Sequence, residues 1–112
     1  MTPNDYQTFA LRTISADLTD RERLELCGLA LSGEIGEVTD LLKKYLYHQS
    51  GKPLDMEKMK DELGDVLWHF AVLLSTLGLT FEEVIQANIA KLQARRPGGF
   101  TPQYPSDSGA SV

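Results

Sequence analysis

The sequence predicts an all-α fold: four helices forming a bundle that further copies of the chain help to complete. Three observations carry this. Apolar residues recur at spacings of three and four along most of residues 4–95. The breaks between periodic stretches are short and marked by Gly, Pro or capping residues. No stretch alternates apolar with polar residues as a half-buried strand would.

The first helix is expected over residues 4–16, capped by Asn4, with Phe9, Ala10, Leu11 and Ile14 on its apolar side. "SADLTD" (15–20) links it to the next, which Thr19 or Asp20 can cap. From Arg21 to Tyr47 the seam Leu24, Leu31, Ile35, Val38, Leu42 and Tyr45 predicts one long helix, with Gly28 in the missing step. "HQSGKP" (48–53) ends it. A third helix is expected over 55–77, with Met59, Leu63, Val66, Phe70, Leu73 and Leu77 inward and Gly78 as its stop. Thr80 followed by Glu83 is a capping-box pattern that opens a fourth helix, running to Arg95 before Pro97 closes it. Residues 1–100 read as one domain, and 101–112, rich in Pro, Gly and Ser, as a flexible tail. Leu24, Leu26, Leu29 and Leu31 spread widely around the long helix, and Leu41 and Leu67 lie beside the main stripes. An apolar arc that wide needs more than one neighbour, so a homodimer or homotetramer is expected.

Composition narrows the function. The 112 residues hold 16 acidic and 11 basic side chains, a net charge of −5, which argues against binding a nucleic acid polymer. A nucleotide stays compatible, because a metal can bridge acidic protein to acidic ligand. The lone Cys27 excludes an intrachain disulfide and a cysteine zinc cluster. "MTPNDYQTF" lacks the features of a signal peptide, and the most apolar stretch, 66–79, is too short and too interrupted to span a bilayer. A cytoplasmic protein without a membrane partner is expected.

Two acidic pairs stand out: Glu34 and Glu37 in "LSGEIGEVTDLLKKYL", Glu62 and Asp65 in "DELGDVLWHF". Positions three apart share a helix face, and each pair lies one position before a seam pair, at the flank of the core. The short turn at 48–53 makes the two helices antiparallel neighbours. Four carboxylates in one partly buried cluster repel and raise each other's pKa values, a conflict that a hard divalent cation such as Mg²⁺ resolves. Ordinary solvated acids are the competing reading, and the matched register of the two pairs weighs against it. Gly33 and Gly36 weaken the helix, each by about 1 kcal/mol relative to alanine, and close approach of a helix or a ligand would compensate. Candidate phosphate-binding groups are Lys44, seven residues after Glu37, and Asn88, Lys91 and Arg95 along one face of the fourth helix. Basic residues late in a helix also favour its dipole, so the cations alone are weak signals. His69, one turn beyond Asp65, can approach the metal but reads more simply as a hydrogen-bonded histidine lining the bundle, and His48 says less. Trp68 and Phe70 are core candidates; Tyr6, Gln7 and Trp68 are alternatives for a base pocket. Cys27 reads as buried filler.

"LALSGEIGEVTDLLKK", "DELGDVLWHF" and "NIAKLQARRPGGF", with the opening "YQTFALRT", resemble the MazG-like family of all-α nucleoside triphosphate pyrophosphohydrolases over nearly all of residues 5–100. The resemblance implies Mg²⁺-dependent cleavage between the α- and β-phosphates, with Mn²⁺ able to substitute, giving a monophosphate and pyrophosphate. It matches the family's E-x-x-E to Glu34 and Glu37 and its E-x-x-D to Glu62 and Asp65, as metal-binding and catalytic residues. Its phosphate-handling residues fall on Lys44, with Lys43 as rival, and on Asn88, Lys91 and Arg95. It also implies dimers or tetramers. Arg96 in "RRPGGF" departs from the pattern, where an aromatic is expected. In outline, metal bridges carboxylates and triphosphate, and Glu34 or Glu37 accepts the proton of the attacking water. Two alternatives remain: a pyrophosphohydrolase acting on phosphoribosyl-ATP, and a catalytically silent helical module.

Overall fold

The structure is a computed structural model and describes residues 1–48, 51–96 and 98. Pro97 and the expected tail at 101–112 lie outside the described residues. Among the described residues the class is all-α and the helical segments number four, as the periodicity predicts. Helix α1 covers Pro3–Thr13; a long helix begins with α2, Asp20–Arg23, and continues through a π-helical stretch, Leu24–Leu29, into α3, Ala30–Lys43, and a second π-helical stretch, Lys44–His48. Helices α4, Met56–Thr76, and α5, Phe81–Arg95, complete the set. The chain divides into two units, Met1–Phe81 and Glu82–Val112.

Local chemistry sets the ends. The cap of α1 is Thr2 and not Asn4: the Asp5 backbone N–H donates to the Thr2 hydroxyl at 3.1 Å while the Thr2 N–H donates to the Asp5 carboxylate at 2.9 Å. Pro3 then occupies the first turn, where its missing N–H is not needed. The reciprocal Thr2–Asp5 box satisfies two backbone N–H groups, which moves the start of the helix ahead of Asn4. Thr19 and Glu22 form the same box at the start of α2. Asp55 caps α4 by accepting from the Lys58 N–H. Gly78, with φ +75°, ends the turn after α4 in a conformation that a side chain would strain.

Within the first unit α4 is the central helix, packed by α1, α3 and the first π-helical stretch. Gly28 faces Leu73, Glu34 faces Asp65 and His69, and Asp40 lies in the field of Lys58. Those pairs run in opposite senses along the two helices, which are therefore antiparallel. At Gly28 an added Cβ would meet Leu73 Cδ1 at 3.5 Å, an ordinary van der Waals contact. Gly33 and Gly36 have nothing within 4 Å of an added Cβ, so close packing inside the chain does not account for them.

The core gathers around the C-terminal half of α4: Ala71, Val72 and Leu74 are buried with Ala10, Ile14, Cys27 and Phe81, and Met59 lies farther down the same helix. Burial pushes the Cys27 thiol up, as expected of an inert filler. Gln7 is the buried polar residue of this region, and both ends of its amide are bonded internally. Its Nε2 donates to Ser75 Oγ at 2.9 Å and to the Leu79 carbonyl at 2.7 Å, and its Oε1 accepts from the Phe81 N–H at 3.0 Å. Phe81 in turn lies against Phe70, ring centroids 5.5 Å apart. Several positions expected to face inward, Leu24, Ile35, Leu42, Tyr45, Leu63 and Leu77, are instead 37–54% exposed.

Candidate metal centre

The core fills the C-terminal half of α4, and the N-terminal half carries the acids on a more open flank. Glu34 comes from α3, one and a half turns after the π-helical stretch, and Glu62 and Asp65 from consecutive turns of α4. Because the helices run antiparallel with Glu34 opposite Asp65, one carboxylate oxygen from each of Glu34, Glu62 and Asp65 lies within 4.8 Å of the others. Glu34 and Glu62 are half-buried and Asp65 is exposed. Burial, followed by the charges of Glu37, Asp65 and Glu34, pushes the Glu62 carboxyl above its ordinary value, with Lys58 opposing. This is the conflict that the sequence foretells for clustered carboxylates. A three-carboxylate, all-oxygen donor set with mutual repulsion fits a hard divalent cation.

Glu37 stands apart from those three. It is exposed, one turn farther along α3, and reaches the cluster through its charge on Glu62. Lys44 makes a 2.9 Å ion pair with Asp40 one turn earlier. That pairing lowers the Asp40 pKa and raises that of Lys44, to which Glu37 adds. Lys58 escaped notice in the sequence. One turn before Glu62, its charge acts on both Glu62 and Asp40 and so links α3 with α4. A lysine four residues before an acid on a helix was the available signal. In the second unit, Asn88, Lys91 and Arg95 are exposed on α5 at spacings that share one face.

His69 borders the acids. Its Nδ1 lies 2.7 Å from the Asp65 carbonyl oxygen, and its Nε2 lies 4.0 Å from Glu34 Oε1. The Trp68 ring meets it edge-on, centroids 5.0 Å apart at 81°. Trp68 Nε1 donates to Thr13 Oγ1 at 2.6 Å, and that hydroxyl donates to the Ala10 carbonyl at 2.7 Å. Trp68 and Gln7 thus hold α1 on α4, and the internal bonds of Gln7 leave its amide committed and not free to read a base edge. Tyr6 is half-buried, and burial raises its pKa; His48 is exposed.

Among the described residues no single helix is long and apolar enough to cross a membrane. The model of the MazG nucleotide pyrophosphohydrolase domain matches residues 23–100, a span that holds both acidic pairs and α5. A relative from Mycobacterium phage L5, the Gene 37 protein, is 33% identical over 87 residues, covering 76% of this chain and 76% of that protein. No solved structure matches the chain. With the acidic helices in antiparallel register and a family model spanning most of its length, the chain belongs to the MazG nucleotide pyrophosphohydrolase family.

Proposed function

We propose that the chain is a Mg²⁺-dependent nucleoside triphosphate pyrophosphohydrolase that converts a ribo- or deoxyribonucleoside triphosphate and water to the monophosphate and pyrophosphate. The observation that carries this reading is the convergence of Glu34, Glu62 and Asp65 from two helices within a MazG domain. Those three residues would hold the cation, with Mn²⁺ as a substitute. When bound, it neutralises charge on the phosphate oxygens and acts as a Lewis acid toward them.

The protein's own part is positional and electrostatic. Water oxygen forms a bond to the α-phosphorus, the bond from that phosphorus to the bridging oxygen breaks, and pyrophosphate leaves with the electron pair. The water's proton goes to a carboxylate: Glu34, a member of the three-residue cluster, and Glu37, within its field, are the acceptors at hand. We assign the phosphate contacts to Lys44, Asn88, Lys91 and Arg95 on their donor chemistry, with arginine supplying a fork and lysine a point charge. Lys44 can leave Asp40 at little expense, since both partners are about half exposed.

Two product assays test the proposal. Purified protein with Mg²⁺ is expected to release pyrophosphate from at least one standard or damaged triphosphate, and orthophosphate as the sole direct product would contradict it. Phosphoribosyl-ATP, run beside the nucleoside triphosphates, is expected to be the poorer substrate.

A further inference from the structure

The pairing of His69 with Glu34 extends that reading to a residue outside the acidic motifs, and it rests on it. Nδ1 of His69 lies 2.7 Å from the Asp65 carbonyl oxygen, which can only accept, so Nδ1 carries the hydrogen. In the neutral ring this fixes the tautomer and leaves Nε2 with a lone pair. That lone pair and Glu34 Oε1 are 4.0 Å apart, and both are acceptors. The separation is too long for a direct hydrogen bond, and it is the span of one water oxygen about 2.8 Å from each partner, subtending an angle of about 90°. The His69 and Glu34 side chains are only 15% and 26% exposed, so a water bound there would be sheltered from bulk solvent. The ring is packed in a T-shaped contact with Trp68, interplanar angle 81°, and Trp68 is itself tied to Thr13 on α1.

We propose that His69 is a positioning residue which, together with Glu34, holds the reacting water by accepting one of its hydrogen bonds at Nε2. Glu34 takes the second hydrogen, and the oxygen lone pairs are turned toward the side where Glu62 and Asp65 converge. His69 transfers no proton in this arrangement and ligates no metal. Its role is to orient a nucleophile that a lone carboxylate would leave free to rotate.

The test compares His69→Leu, similar in size but with no acceptor, with His69→Gln, which restores an acceptor near the position of Nε2. For each, kcat and KM for pyrophosphate release are measured with Mg²⁺, and Mn²⁺ affinity is measured separately by electron paramagnetic resonance without nucleotide. His69→Leu is expected to lower kcat about tenfold or more, with KM and Mn²⁺ affinity within about twofold of wild type. His69→Gln is expected to recover kcat to within about threefold of wild type. An unimpaired His69→Leu overturns the inference, as does equal impairment in both variants. A loss of Mn²⁺ affinity matching the loss of kcat also overturns it, because the ring would then be a ligand. If His69→Leu does not fold, the same measurements on His69→Gln decide: near-wild-type kcat and metal affinity support the role, and a tenfold loss of kcat opposes it. A wild type that releases no pyrophosphate overturns this inference together with the functional reading beneath it, whereas an active wild type beside an unimpaired His69→Leu defeats this inference alone.

Discussion

Glu62 is where the chemistry of the cluster can be read from a single side chain. Burial and then the charges of Glu37, Asp65 and Glu34 raise its pKa above 4.5, so the folded chain disfavours its charged form. The stability it contributes is therefore fully present below 4.5 and is lost as pH rises through the raised value. A bound divalent cation reverses the sign of that effect. Millimolar Mg²⁺ is expected to raise the melting temperature at neutral pH and to do little below the ordinary glutamate range; Glu62→Gln should melt higher than wild type without metal and lose the Mg²⁺-dependent increment. Differential scanning calorimetry across pH checks both, and an equal increment at every pH would show that the cation binds elsewhere. Asp65→Asn removes a donor charge at near-constant shape, and turnover is expected to fall about 100-fold or more while far-ultraviolet circular dichroism keeps its helical amplitude. Gln7 makes the opposite kind of prediction. Its three internal bonds have no replacement in Gln7→Leu, so urea unfolding should show a loss of about 2–3 kcal/mol.

At the scale of the element, the sequence was legible where local rules dominate. Periodicity and breakers place the four helical segments to within a few residues, and Thr19, Gly78 and the α3–α4 turn act as expected. The π-helical stretches at Leu24–Leu29 and Lys44–His48 were not legible, since a one-residue change in hydrogen-bond register leaves no mark in apolar spacing. The candidate site shows the same division. That Glu34 meets Glu62 and Asp65 follows from helix spacing plus an antiparallel turn. The pairing of Lys44 with Asp40 is a local contact one turn apart, whereas the approach of His69 Nε2 to Glu34 needs two helices set at a given rotation, which apolar spacing does not specify. Gly33 and Gly36 give a prediction at this scale. With open space around each added Cβ, Gly33→Ala and Gly36→Ala are each expected to stabilise the helix by up to about 1 kcal/mol, read as a higher melting temperature. A lower one would mean that each Cβ meets a neighbour from another copy.

Among the described residues several large apolar side chains on the long helix face solvent. Leu29 is 73% exposed and Leu46 63%, on the same long helix as Leu24, Leu26, Ile35 and Leu42. A second copy packing through the long helices would cover them, and light scattering at low micromolar concentration is expected to give at least twice the 12.4 kDa of one chain. A monomer that stays fully active on dilution would count against assembly. Those exposed side chains lie on the helix that carries Glu34, so assembly and activity are expected to fall together in Leu29→Glu. The account as a whole depends on where water attacks. Turnover in water enriched in heavy oxygen, with products separated and weighed by mass spectrometry, places that bond directly. One heavy oxygen in the nucleoside monophosphate and none in pyrophosphate is the result predicted; heavy oxygen in pyrophosphate or orthophosphate, with an unlabelled nucleotide, would contradict it.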